Sequence, residues 1–276
     1  MWAEVRAARE AVLAESGETS RGPWFVDRVI EAFSRAVGFD GYCLFGVDPV
    51  TGLRTVMFSR YGLTASTDRL VYNETVEHDL NRYLELACRP GMAGLLAAGV
   101  AAEPRSPRLH EILRTDGYTS ELRLALVSDG RYWGALSLFR NSRLHPFDLD
   151  DAAIAGEFAE PLSRTIRRYQ IGAPGAKPLW HRDGAVVFGA DGIPPIAGVE
   201  AREWLAALAE SWPGGAVAED VDRAVVEVAR SARETARHAQ SCVRMPAGGW
   251  LVISAAPWTE TTLALSPFCA RAMPRL

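Results

Sequence analysis

The chain has 276 residues, of which 48% are hydrophobic and 23% charged, so at roughly 150 residues per domain it can hold two ordinary globular cores. That composition excludes a disordered, collagen-like or disulfide-scaffold protein. Thirty basic against 34 acidic residues leave a net charge of -4, which gives no global attraction to nucleic acid or anionic lipid.

Lys177 is the only lysine, and with abundant Ala, Gly and Val this reads as high-GC coding bias rather than function. Cys43, Cys88, Cys242 and Cys269 are scattered without CxxC or zinc spacing, which argues against disulfides and metal ligation. Cys43 and Cys88 read as buried small hydrophobes, and the cytoplasm is the default compartment. The N-terminus lacks the basic start and apolar core of a signal peptide, and no apolar run reaches about 18 residues. The chain is therefore expected to be neither secreted nor membrane-spanning.

Trp2, Val5, Ala8, Val12 and Leu13 follow helical spacing, with a stop near Ser16-Gly17. A second helix runs from Pro23 with Phe25, Val26, Val29, Ile30, Phe33 and Val37 on one face, ending at Gly38 as a glycine cap. Residues 42–47 and 54–59 are β-rich around the turn chemistry of Asp48-Pro49-Val50-Thr51-Gly52, which predicts a hairpin. Residues 63–102 read as mostly helical up to a break at Arg89-Pro90-Gly91, with a short helix over 109–113. Leu122, Leu124 and Leu126 alternate into a second hairpin through Asp129-Gly130. Asp148 is then an N-cap for a long helix striped by Ile154, Phe158, Leu162, Ile166 and Tyr169 and kinked by Pro161. The Gly/Pro-rich run 171–182 marks a linker between a first domain over 1–170 and a second over 183–276. The second reads as strand 185–188, a turn at 190–192, helices 201–211 and 221–236, a hairpin over 242–254 turning at 246–249, and a last strand over 261–265.

The order helix, hairpin, helical insert, hairpin, terminal helix resembles a GAF domain. The strings FDGYCLFGVDPVTG, ACRPGMAGLLAAG, SPRLHEILRTDGYTSELRLALVSDGRYWGALSLFR and FDLDDAAIAGEFAEPLSRTIRRY are similar to the sensory half of actinobacterial LuxR-family transcriptional regulators. VVFGADG, EAREWL and PAGGWLVISAAP resemble the degenerate PAS-type segment that follows there. The resemblance implies an α+β fold: a GAF-like antiparallel sheet flanked by helices, then a smaller PAS-like domain. Those regulators continue into a helix-turn-helix, and the sequence departs from them in showing none, so DNA binding by this chain alone is not expected.

A GAF domain holds its ligand between one sheet face and the helical insert. Candidate lining residues are Phe45, Phe58 and Tyr61 on the first hairpin, Tyr72, Asn73, His78, Asn81 and Tyr83 on the insert, and Tyr118, Glu121, Arg123 and Trp133 on the second hairpin. Each also has a plain reading: the aromatics as core, and Glu121 with Arg123 as the solvated face of a strand whose other face carries Leu122 and Leu124. Glu77, His78 and Asp79 invite an acid/base or metal reading, yet neighbours on a helix point apart. No HxxxH pair, nucleophile elbow or phosphate loop is present.

The expectation is a sensor for a small, largely apolar molecule, needing no cofactor or metal. It is expected as a homodimer paired through its terminal helices, with no nucleic acid or membrane partner. The alternative is a sensor scaffold recruited as a cofactor-independent biosynthetic enzyme, with His78, Glu121, Tyr61 or Arg123 moving protons or stabilising charge. A third possibility is an interaction module whose pocket is filled by its own side chains.

Overall fold

The computed structural model describes residues 2–15, 25–63, 67–97, 106–171, 184–188, 196–211, 218–244, 250–256 and 261–268. They belong to two compact units, Met1–Gly46 with Met57–Tyr169, and Val47–Val56 with Gln170–Leu276. The linker over 172–182 and the turns at 190–192 and 246–249 lie outside the described residues.

The first unit opens with α1 (Trp2–Glu15) packed on α2 (Phe25–Ser34). Val5, Ala8 and Val12 are buried, while Trp2, expected in the same stripe, is 54% exposed. The second helix stops at Ser34, short of Gly38, which is not among the glycines of positive φ and so makes no left-handed cap. Its carbonyl instead accepts the Arg140 Nε hydrogen bond at 2.8 Å.

Strands β1 (Gly41–Val47) and β2 (Arg54–Arg60) form the expected first hairpin elements, with Asp48 Oδ1 accepting from Val50 and Thr51 N–H across the turn. The insert holds α3 (Thr67–Thr75), the single turn α4 (Tyr83–Leu86) and a π-helical segment over Arg108–Leu113. Between these lies β3 (Ala93–Ala97), a strand where a helix was expected. It forms because β4 offers it a ladder, Gly94 opposite Arg123 and Leu96 opposite Glu121. Gly94 suits that edge for a steric reason: a Cβ there would stand 2.6 Å from Asn81 Cγ.

Strands β4 (Tyr118–Ser128) and β5 (Arg131–Asn141) turn at Asp129 and Gly130, whose φ values of 51° and 69° match the tight hairpin predicted for Asp-Gly. The sheet has five antiparallel strands in the order β2-β1-β5-β4-β3. The terminal helix is two helices, α5 (Leu149–Gly156) and α6 (Ala159–Ile171), so the interruption lies upstream of Pro161. Proline sits in the first turn of α6, where its missing N–H costs little. The Glu157 carbonyl that this N–H would have met takes Arg9 Nε at 3.2 Å.

The second unit has its own five-stranded sheet, β6 (Gly184–Phe188), β7 (Ile196–Ala197), β8 (Ala239–Arg244), β9 (Trp250–Ala256) and β10 (Thr261–Phe268), ordered β7-β6-β10-β9-β8. Helix α7 (Val199–Ser211) packs on β6, and α8 (Ala218–Thr235) packs on β8, β9 and β10. Trp204, Val225, Val228, Leu251 and Ile253 are buried there. Arg54 Nε lies 3.2 Å from Glu227 Oε2, and burial pushes the Cys242 thiol up to about 11. The α+β class read from the sequence holds in both units.

Candidate functional site

Register divides the first sheet into two faces, since cross-strand partners point the same way and successive residues alternate. On one face lie Tyr42, Leu44, Leu122, Leu124, Leu136 and Leu138, all buried. A chain of aromatic contacts runs from Tyr42 through Phe39 and Phe33 to Phe158, linking this face to α2 and to the junction of α5 with α6. On the other face lie Phe45, Glu121, Arg123, Ser137 and Phe139. The helical insert covers this second face.

Half of that covering is apolar. Leu63, Leu70, Leu109, Ile112 and Leu113 pack with Leu96, Tyr118 and Phe139 of the sheet in one buried cluster. The other half is ionic. Glu121 is fully buried and Arg123 is 2% exposed, so the solvated strand face that alternation allowed is not what these residues form. Arg108, brought in by the π-helical segment, donates from Nε and Nη2 to the two Glu121 carboxylate oxygens at 2.6 and 2.8 Å. Its third nitrogen, Nη1, donates to Glu74 Oε1 at 2.6 Å. Arg123 also donates to Glu74 Oε1, so that one oxygen joins both guanidiniums. Arg123 Nε lies 3.3 Å from Glu121 Oε1, and its guanidinium covers the Tyr83 ring at 4.3 Å.

Two carboxylates and two guanidiniums thus form a quartet without net charge, buried where a lone ion would be costly. Burial alone would raise the Glu121 pKa, but Arg108 and Arg123 outweigh it and hold the carboxyl down at about 2. Ser137 Oγ donates to Glu121 Oε1 at 2.7 Å and is hydrogen-bonded to Tyr83 Oη, whose own pKa burial pushes up to about 12. A second ring of bonds fixes the insert. Asn73 Nδ2 donates to Glu77 and Asp79 at 2.7 and 2.9 Å, and the Arg108 N–H donates to Asp79 Oδ2 at 2.8 Å. Burial opposes ionisation of Asp79, but these bonds and one from Ser106 leave its pKa lowered.

Of the residues proposed from sequence, Phe45, Asn73, Asn81, Tyr83, Glu121 and Arg123 meet at this layer. Phe45 packs edge-on against Tyr83 at 5.2 Å. Asn81, at a φ of 57°, donates from Nδ2 to the Leu95 carbonyl at 2.8 Å and accepts Arg123 Nη1 on its own carbonyl at 3.0 Å. Tyr118 belongs to the apolar cluster and donates its hydroxyl to the Tyr61 carbonyl.

Phe58 and Trp133 do not join them: Phe58 packs on Tyr169 of α6 at 5.4 Å, and Trp133 lies under Arg167 of α6 at 5.2 Å. Tyr61 is 70% exposed, Tyr72 40%, and His78 is exposed with Nδ1 3.3 Å from Arg82 Nη1. Cys88, read as a buried hydrophobe, is exposed, and Cys43 is half-buried. Arg108, Glu74 and Ser137 were missed, because each stands in a local context that an ordinary surface helix or strand would share. Among the described residues no group of three or more His, Cys, Asp and Glu side chains could hold a metal ion, and no helix is long and apolar enough to cross a membrane.

No protein-family profile and no curated protein matches the sequence. Among solved structures, the chain is similar to the GAF domain of a two-component sensor histidine kinase from Bacillus halodurans, at 16% identity and a TM-score of 0.37 over 51% of this chain and 90% of that one. It is similar to the free methionine-R-sulfoxide reductase of Neisseria meningitidis, at 17% identity and a TM-score of 0.35 over 59% and 90% of the two chains. A bacteriophytochrome from R. palustris aligns over 97% of this chain and 63% of its own, at 13% identity and a TM-score of 0.39.

Proposed function

We propose that the protein is a small-molecule-sensing regulator built like the sensory half of LuxR-family transcriptional regulators. In this reading a GAF-type first domain binds the molecule and a PAS-like second domain relays occupancy. The observation that carries it is the ionic quartet: Arg108, Glu121 and Arg123, all buried, converge with the partly exposed Glu74 between a sheet face and a helical insert, where packing alone would have put apolar side chains. DNA reading would be supplied by another module, and the protein would act as a homodimer in the cytoplasm. Sedimentation at micromolar concentration tests the dimer, and a monomer there removes it.

The enzyme reading has less support. A carboxylate held at about 2 by two guanidiniums is a poor base at neutral pH, and Tyr61 and His78 lie exposed rather than beside it. The packed apolar half of the layer favours a different second reading, an interaction module that binds no small molecule.

One experiment separates sensor from module. A metabolite library screened by thermal shift contains at least one stabiliser if the chain is a sensor, with a gain of about 2.7 kcal/mol at roughly 100 times Kd. A library that stabilises nothing favours the module.

A further inference from the structure

Glu121 and Glu74 hold the two arginines in different ways. Glu121 lies in the interior of the sheet, is fully buried, and is bonded by Arg108 through both oxygens and by Ser137. Glu74 stands in the last turn of the nine-residue helix α3, at the edge of the layer with 13% of its side chain exposed, and a single oxygen meets both guanidiniums. Glu121 is a fixed anchor. Glu74 is the edge carboxylate, carried by one helical turn.

Without Glu74 the layer would present two guanidiniums to one carboxylate. These are planar donors, one of them stacked on Tyr83, with Phe45 packed on the same ring. That is the chemistry of carboxylate recognition beside an apolar wall.

We propose that Arg108 and Arg123 form a binding site for small carboxylic acids with an apolar body, and that Glu74 occupies it as an internal competitor until the ligand carboxylate replaces it. This deepens the sensor reading and rests on it. Displacement would shift the last turn of α3, which also carries Asn73 and its bonds to Glu77 and Asp79, so occupancy is converted into movement of the insert.

Benzoate and its uncharged counterpart benzamide are the probes, tested on the full chain by calorimetry and thermal shift. Benzoate is expected to bind and stabilise the wild type where benzamide does not. Glu74→Gln is expected to tighten benzoate by about tenfold or more, because a site open in only ~10% of molecules or fewer weakens apparent affinity by that fraction. Should Glu74→Gln fail to fold, Glu74→Asp carries the test: its shorter carboxylate competes less well, so benzoate binding tightens by a smaller factor.

Equal binding of benzoate and benzamide, or benzoate affinity unchanged in whichever variant folds, overturns the proposal. An uncharged library compound that stabilises the protein while benzoate does not overturns the carboxylate site and leaves the sensor reading standing. A library and benzoate that both do nothing remove the two together.

Discussion

The two faces of the first sheet are built from the same strands and buried equally well, yet by opposite means. The face toward α2 is leucine and aromatic side chains in contact, so its stability comes from removing apolar surface from water. The face under the insert has an apolar half and an ionic half, and the ionic half is stable only while each charge has its partner. An apolar face tolerates exchange of one group for another of similar size, whereas a self-neutralised cluster fails as a unit. The charges of the second face therefore stand or fall together, and only a group of the same charge could take the place of one of them.

The largest expected effect breaks that unit. Glu121→Ala leaves two buried guanidiniums sharing Glu74 and should lose about 3–5 kcal/mol in urea unfolding. Replacing the four charged residues together by Arg108→Met, Arg123→Met, Glu121→Leu and Glu74→Leu should leave the protein about as stable as wild type, or more stable. If the quadruple variant loses as much as the single one, the cluster is not a self-neutralised set. On the other face, Leu124→Ala should lose about 3 kcal/mol through a cavity, by an amount that does not vary with pH.

Acid distinguishes the faces further. The folded pKa of Glu121 lies at about 2, below its ordinary value of 4.5, so its contribution is fully present above that ordinary value and is lost as pH falls toward the folded one. Tm measured from pH 6 to about pH 2 should fall less steeply in Glu121→Gln than in wild type, and parallel curves would show that protonation of Glu121 does not drive the loss. The smallest effect is at the start of α5, where Asp148 Oδ1 accepts from the Asp151 N–H at 2.9 Å in a capping box. Asp148→Ala should cost about 1 kcal/mol in thermal unfolding, with Asp148→Asn close to neutral.

Much of the fold was legible because its signals are local. Asp129-Gly130 needs only its own backbone to specify a tight turn, and Asp148 needs only the N–H three residues ahead to start a helix. Pro161 marked an interruption, but whether the chain bends at it or breaks before it depends on what receives the freed carbonyl, and Arg9 lies 148 residues away. The strand at Ala93–Ala97 was illegible for a similar reason. Its residues have no strand period, and only the ladder offered by β4 makes them extended. The site was half legible: alternation isolated Glu121 and Arg123 from the leucines, but nothing near them in sequence announced the residues that pair with them.

The sequence by itself determined the α+β class, both hairpins of the first sheet, the start of α5 and the alternation that separates Glu121 and Arg123 from Leu122 and Leu124. Tertiary structure decided that these two charges are interior rather than solvated. It did so by bringing Glu74 and Arg108, 34 residues apart, to the same face. The physical reason is that a buried ion is tolerated only with its partners in place, and partners contributed by a helix, a π-helical segment and a strand meet only once the chain has folded.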